Sequence, residues 1–392
     1  MNKQNVTVGV EKFLSDGKYS KYRIGLLCNQ ASVTKSLEHV ADVFRKESTI
    51  NLTTLFGPQH GIRGDVQDNM VETGHSVDPD TNLPVYSLYS ETRSPTAEMF
   101  ENVDVLVCDL QDIGSRVYTF VYTIANCMRV ASQLGKKIVV CDRPNPINGI
   151  SFEGDLLDEK FASFVGQFPI PMRHGLTAGE LALLFQKQFG IDCDLEIVPM
   201  QGWRRELWYD ETDLPWILPS PNMPTTETAT VFPATVLFEG TQISEGRGTT
   251  RPFEIIGAPY IKSADYAHQM NDLNLSGIFF RACNFLPTFQ KHQGVPCEGV
   301  QLHVTNRDAF KPVAAGVAMV KTLFDMYPND FAWKTSGYEY VFDKNPFDVI
   351  VGGDKLRTDF EKGIELDEII KGWSKDEAAF DEMRHKVMLY QA

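Results

Sequence analysis

The stretch VDVLVCDLQDIGSRVYTFVY, residues 103–122, gathers side chains that could do chemistry. Two carboxylates, Asp109 and Asp112, and one cation, Arg116, follow directly on the apolar run Val105-Leu106-Val107-Cys108. Such a run forms a strand buried on both faces, and ligands of open α/β sheets collect where those strands end. Taken singly, Asp109 is explained as a helix cap, and Asp112 with Arg116 as a loop ion pair. Taken as a cluster, they predict a reactive cleft at the carboxyl edge of a sheet.

Further polar loops have the same style. GPQHGIRG (57–64) brings His60 and Arg63 among glycines that let backbone approach a ligand closely. LPVYSLYSETRSPT (83–96) sets Tyr86 and Tyr89 near Glu91 and Arg93, a set suited to sugar binding through ring faces and hydroxyls, although composition alone favours a surface turn there. DRPNPINGI (142–150) presents Asn145 and Asn148 on a proline-stiffened backbone, and SPNMP (220–224) presents Asn222 in the same way. SEGRGTTRP (244–252) holds Glu245 and Arg247 between glycines, and His174 precedes a helix start. No GxSxG elbow, HExxH, Walker loop or GxGxxG after the first strand is present, which sets aside serine hydrolase, zinc hydrolase and nicotinamide chemistry. Carboxylates, tyrosines, asparagines and arginines without a metal motif fit glycoside chemistry, in which one carboxylic acid protonates the leaving oxygen.

The elements that must position these groups alternate. Buried strands are expected at 23–28, 50–56, 84–88, 103–109, 137–141 and 194–198, with helices at about 36–46, 118–134 and 177–189. Thr177 and Glu180 form a capping box for the last of these. Strand and helix in this rhythm mean a mainly parallel sheet with right-handed crossovers, each strand ending in a glycine- or proline-bearing loop. Residues 203–232, rich in proline and tryptophan, read as an irregular wall connecting two domains. Beyond them a strand at 299–304 and helices at 313–325, 365–370 and 375–389 suggest a smaller α+β unit. The expected division is 1–225 and 226–392.

A net charge of -15 argues against nucleic acid or an anionic membrane as partner. The 7 cysteines include no CxxC pair, so neither zinc nor a disulfide framework is expected, and no cofactor is called for. No apolar run reaches membrane-spanning length, and residues 1–14 lack the apolar core of a signal peptide.

Seven motifs in order carry a family resemblance: LFGPQHGIRG, LPVYSLYSETRSPT, DVLVCDLQDIGSRVYTF, CDRPNPINGI, PIPMRHGLTAGEL, LPSPNMPT and EGTQISEGRGTTRPFE. From about residue 23 to the end, the chain resembles the exo-β-N-acetylmuramidases, glycoside hydrolase family 171, formerly a domain of unknown function. The resemblance implies a Rossmann-like N-terminal domain, an auxiliary C-terminal domain and an active-site cleft between them. It also implies release of terminal N-acetylmuramic acid from the non-reducing ends of peptidoglycan fragments, muropeptides or disaccharides, in a periplasmic or extracellular setting; with no signal peptide in this chain, a cytoplasmic one stays open.

The family's proposed catalytic glutamate falls on Glu91. This chain departs from the family twice, with Ser90 for a glycine and Gln59 where many relatives carry glutamate. The expected site therefore has Glu91 as general acid and Asp112, or else Asp109, as its partner. His60, Arg63, Tyr89, Arg116, Tyr118, Asn145, His174, Asn222, Glu245 and Arg247 are expected around the sugar, with Arg247 and Arg63 as candidates for the lactyl carboxylate. Gln59 keeps open a binding protein without turnover; a carbohydrate esterase is the third class, disfavoured for want of a nucleophile or metal motif.

Overall fold

The computed structural model describes residues 3–64, 66 and 71–391. Its first part alternates as expected: α1 (Gly9–Asp16), β1 (Arg23–Cys28), α2 (Val40–Lys46), β2 (Asn51–Gly57), β3 (Ser76–Val77), β4 (Pro84–Ser87), β5 (Val105–Asp109), α3 (Phe120–Leu134), β6 (Lys137–Cys141), α4 (Ala178–Lys187) and β7 (Asp194–Val198). The 7-stranded sheet runs β3-β4-β2-β1-β5-β6-β7, with β3 antiparallel to β4 and the other pairs parallel. Side chains alternate between two cores, as strand geometry requires. Val105 and Val107 face the α1 and α2 side with Phe13 and Phe44, while Leu106 and Cys108 face the α3 and α4 side with Met128 and Phe185. Burial on both faces explains why the strands read as continuous apolar runs.

The second part comprises α5 (Thr226–Thr235), β8 (Ile255–Ala258), α6 (Ser263–Asp272), β9 (Ile278–Phe285), β10 (Cys297–Val304), α7 (Pro312–Met326), α8 (Pro346–Val351), α9 (Lys355–Glu361), α10 (Leu366–Lys371) and α11 (Ser374–His385). Its antiparallel sheet has the order β8-β10-β9. The core on the α3 and α4 side runs on without a break into Val317, Phe347 and Phe360 of this part, so the seam between the two parts is itself hydrophobic. The chain end returns to the first part: Arg205 N donates to Gln391 O at 3.1 Å and Tyr390 OH to Asp142 Oδ2 at 2.6 Å.

Two expectations about elements are corrected. The helix expected from 36 starts at Val40, because Leu37 takes a left-handed φ of 69° and His39 caps the first turn. The wall at 203–232 is not irregular to its end. Thr225 accepts from Thr228 N at 3.1 Å and opens α5, whose interior Pro233 lies past the first turn.

Candidate active site

The sheet reverses its direction of growth between β1 and β5, where Cys28 lies beside Asp109. A doubly wound sheet binds ligands at this switch point. Here the chain fills it. Asn29 and Gln30 donate to the carbonyls of Pro219 and Leu218, at 3.3 and 2.7 Å, so the connecting segment lies across the crevice. Asp109, fully buried, holds Arg143 through two bonds of 2.7 Å. Arg143 also donates to Val33 O at 2.8 Å, and Gln111 to the carbonyls of Asp112 and Pro144.

Several expected site residues bind other groups of the protein in this fold. Asp109 is a buried ion-pair partner and does not line the central cavity. Asp112 accepts from Gly114 N at 2.7 Å, and its Oδ2 lies 3.3 Å from His174 Nε2. Arg116 is fully buried and spends its guanidinium on main-chain carbonyls, including Ile170 at 2.9 Å and Val351 at 2.5 Å. Burial lowers its pKa; its work is to tie the two parts of the chain together. Asn145 bridges Leu176 O and Ile147 N. Arg63 pairs with Asp42, Asp78 and Asp80 at 3.0 to 3.2 Å and does not line the central cavity. Glu91 is exposed on the turn after Tyr89 and does not line the central cavity.

That cavity, about 50 Å³, lies at the seam. From the first part come Gln59 and His60 after β2, Tyr118 and Thr119 at the start of α3, and Ser220 and Asn222 of the connecting segment. From the second come Glu239 on the 3₁₀ turn after α5, Arg247 and Phe253 on the glycine-rich loop, and Tyr338 and Glu339 on the turn before α8. Both glycines beside Arg247 have φ of 79°, and a Cβ on Gly246 would sit 2.7 Å from Ile255 O. Only glycine suits either position. The rigid turn expected there is thus real, and it aims Arg247 into the cavity.

A chain of charges backs this wall. Lys291 Nζ binds Glu245 Oε2 at 2.8 Å, Glu245 lies 3.2 Å from Arg247, and Arg247 binds Glu239 Oε1 at 2.6 Å. Tyr338 OH donates to the other Glu239 oxygen. Burial pulls Arg247 down, but the Glu239 and Glu245 carboxylates outweigh it and leave the guanidinium firmly charged. Across the cavity, Thr119 Oγ1 donates to Gln59 Oε1 at 2.8 Å, and Tyr89 OH to Glu339 Oε2 at 2.8 Å. Burial raises the Glu339 pKa and the Glu239 charge adds to that, against the Tyr89 hydrogen bond, the Arg93 charge and the Gln59 hydrogen bond. The Tyr118 hydroxyl lies near Ser220 without closing a well-shaped hydrogen bond.

Of the expected residues, the fold brings His60, Tyr118, Asn222 and Arg247 to the cavity itself, with Tyr89 and Glu245 immediately behind it. Glu239, Tyr338 and Glu339 were not singled out by the sequence reading. Glu239 opens the EGTQISEGRG motif and was within reach; Tyr338 and Glu339 stand in SGYEYVFDKNP, which carries no motif, and only the fold brings them there.

Comparison with known proteins now bears on the site. The N-terminal domain model of the exo-β-N-acetylmuramidase NamZ matches residues 24–227, and its C-terminal counterpart matches residues 230–390. The peptidoglycan β-N-acetylmuramidase NamZ of Bacillus subtilis is 48% identical over 390 residues, covering 99% of this chain and 92% of that one. Two DUF1343 family proteins of Bacteroides fragilis with solved structures share the fold. One has a TM-score of 0.88 at 32% identity and the other 0.74 at 29%, each alignment covering 98% of this chain and 99% of the other.

Proposed function

The chain belongs to the exo-β-N-acetylmuramidase family, and we propose that it hydrolyses the terminal β-1,4-linked N-acetylmuramic acid from the non-reducing end of peptidoglycan fragments. The observation that carries this reading is that both matched domains contribute to one cavity, which holds two buried glutamates, Glu239 and Glu339. Two carboxyl groups in unlike environments are the usual equipment for glycoside hydrolysis, one charged and one holding a proton. Gln59, the residue that kept a binding-only protein open, is hydrogen-bonded to Glu339, so its amide does not leave the cavity without an acid.

Ligand pockets typically have volumes of about 300–1,000 Å³. The cavity, at about 50 Å³, holds only a few waters. Entry of a sugar then needs the cavity to widen. An aromatic and amide lining from Tyr118, Phe253 and Asn222 suits a pyranose ring and its acetamido group. Arg247 lines the cavity and is our candidate for the lactyl carboxylate, whereas Arg63 does not line it.

The test is chromophore release from para-nitrophenyl β-N-acetylmuraminide, with the N-acetylglucosaminide as control. Wild type is expected to turn over the first and not the second, and Arg247→Lys to blunt that discrimination. A folded wild-type chain that binds the muraminide without cleaving it would refute the proposal.

A further inference from the structure

A second cavity, of about 670 Å³, has the size of a ligand pocket, which the central one at about 50 Å³ has not. Both parts of the chain build it. The first gives Pro146, Trp208 and Asp210, and the second gives the end of β10 with the turn to Arg307. The two cavities share two elements. Along α5, Thr226 and Thr230, one turn apart, face the second cavity, while Phe232 faces the central one. On the glycine-rich loop, Arg247 and Phe253 line the central cavity, and Arg251 and Glu254 line the second. We infer that the second cavity is a carbohydrate site for an uncharged, N-acetylated saccharide.

Its charges are held in pairs. Glu254, 5% exposed, accepts from Thr228 Oγ1 at 2.7 Å through one oxygen and from Arg251 at 3.1 Å through the other. Arg307 binds Asp210 at 2.6 Å and Glu211 at 2.8 Å, which clamps the two parts of the chain together at the cavity. The lining sets these two guanidinium groups against the carboxylates of Asp210, Glu227 and Glu254. Arg281 stands beside it, donating to Gln301 Oε1 at 2.6 Å and to His303 Nε2 at 3.3 Å, an arrangement in which the imidazole is neutral. Even with Arg281 added there is no excess of positive charge to attract an acidic ligand.

What the lining offers is hydrogen bonding in both senses. A sugar hydroxyl both donates and accepts, and a carboxylate held beside a guanidinium sets an acceptor next to donors. Arg251 with Glu254, and Arg307 with Asp210, are two such pairs. Gln301, Asn306 and Thr305 add amides and a hydroxyl, which suit an acetamido group. Pro146, Trp208 and Val231 supply apolar surface for the C–H face of a pyranose. Peptidoglycan fragments alternate an acidic sugar with a neutral N-acetylated one, and a neutral site here complements Arg247 at the seam.

Titration calorimetry with tri-N-acetylchitotriose, and with trigalacturonic acid as the carboxylate-bearing control, tests this site. Wild type is expected to bind the chitotriose with a Kd below about 10 mM, and the acid at least about tenfold more weakly. Thr230→Trp, which fills the cavity from α5, is expected to abolish binding. Gln301→Ala, which removes one amide, should weaken it about two- to tenfold. Urea midpoints report whether each variant is folded; should Thr230→Trp unfold, Gln301→Ala decides alone. A wild type that leaves the chitotriose unbound at about 10 mM, that binds the acid as tightly, or whose binding neither folded variant weakens would overturn the site. A wild type that binds the chitotriose in this Gln301-dependent way but cleaves no muraminide would refute the glycosidase reading and leave the site standing.

Discussion

Two regions of this molecule bury charge, and they bury it differently. At the switch point after β1 and β5, Asp109 and Arg143 satisfy each other through two hydrogen bonds, and the connecting segment covers both. At the seam, Glu239, Arg247 and Glu339 are just as buried but face a cavity. The first arrangement fixes backbone, because each Asp109 oxygen is bound to the Arg143 guanidinium. The second leaves carboxyl groups beside a space where a reacting atom can sit. Burial of charge does not mark a site; burial beside a cavity does.

The largest expected effect tests the crevice. Arg143→Ala leaves the Asp109 carboxylate buried without its cation, which typically costs about 3–5 kcal/mol. The urea midpoint should fall accordingly, while kcat per folded molecule stays within about twofold. Lost turnover at unchanged stability would make the crevice, and not the seam, the reaction centre. Next comes Glu239→Gln on the seam side. It keeps shape, removes a charge from the cavity and should lower kcat about 10²–10³-fold, roughly 3–4 kcal/mol in the barrier. The midpoint should shift much less than in Arg143→Ala; the reverse ranking would erase the distinction between the regions.

How far the sequence revealed this follows from the same contrast. Periodicity and turn residues disclosed the parallel sheet, the α4 capping box and the glycine-held Arg247, since each is a local property of a few consecutive residues. The resemblance disclosed the cleft between two parts. What stayed hidden was which polar loops are filled by the protein itself. Nothing local in LPWILPSPNMP says that Leu218 and Pro219 will cap the polar ends of β1. Nor does SGYEYVFDKNP announce a cavity wall, because Glu339 meets Tyr89 across 250 positions. At Asp109 and Arg116 the hidden part was the choice of partner: the sequence places charge there but does not name Arg143 or the carbonyls of Ile170 and Val351.

A third prediction returns to the first region, one strand along. Asp142, just after β6, is pushed up to about 6 by burial, against hydrogen bonds from Thr177 and Tyr390. Its folded pKa exceeds the unfolded value, so its contribution to stability is complete below pH 4 and is lost as pH rises through 6. Two pKa units bound that loss at about 3 kcal/mol. Asp142→Asn should therefore lose less stability than wild type between pH 4 and pH 7, whatever its absolute stability. Parallel urea midpoints of the two proteins across that range would contradict the assignment of the shift.

The smallest effect is the one that asks whether the seam is a door. Tyr340 is half exposed, and its ring stacks on Arg93 while its hydroxyl reaches Glu72. An exposed cation–π contact is worth about 0.5–1 kcal/mol. Tyr340→Ala should therefore barely move global stability, yet release the turn that carries Glu339. If the turn must sit in its left-handed conformation for catalysis, kcat/KM should fall about two- to fivefold. A kcat/KM identical to wild type would mean that Tyr89 alone seats the carboxyl group, and the Arg93 stack would then be surface ornament.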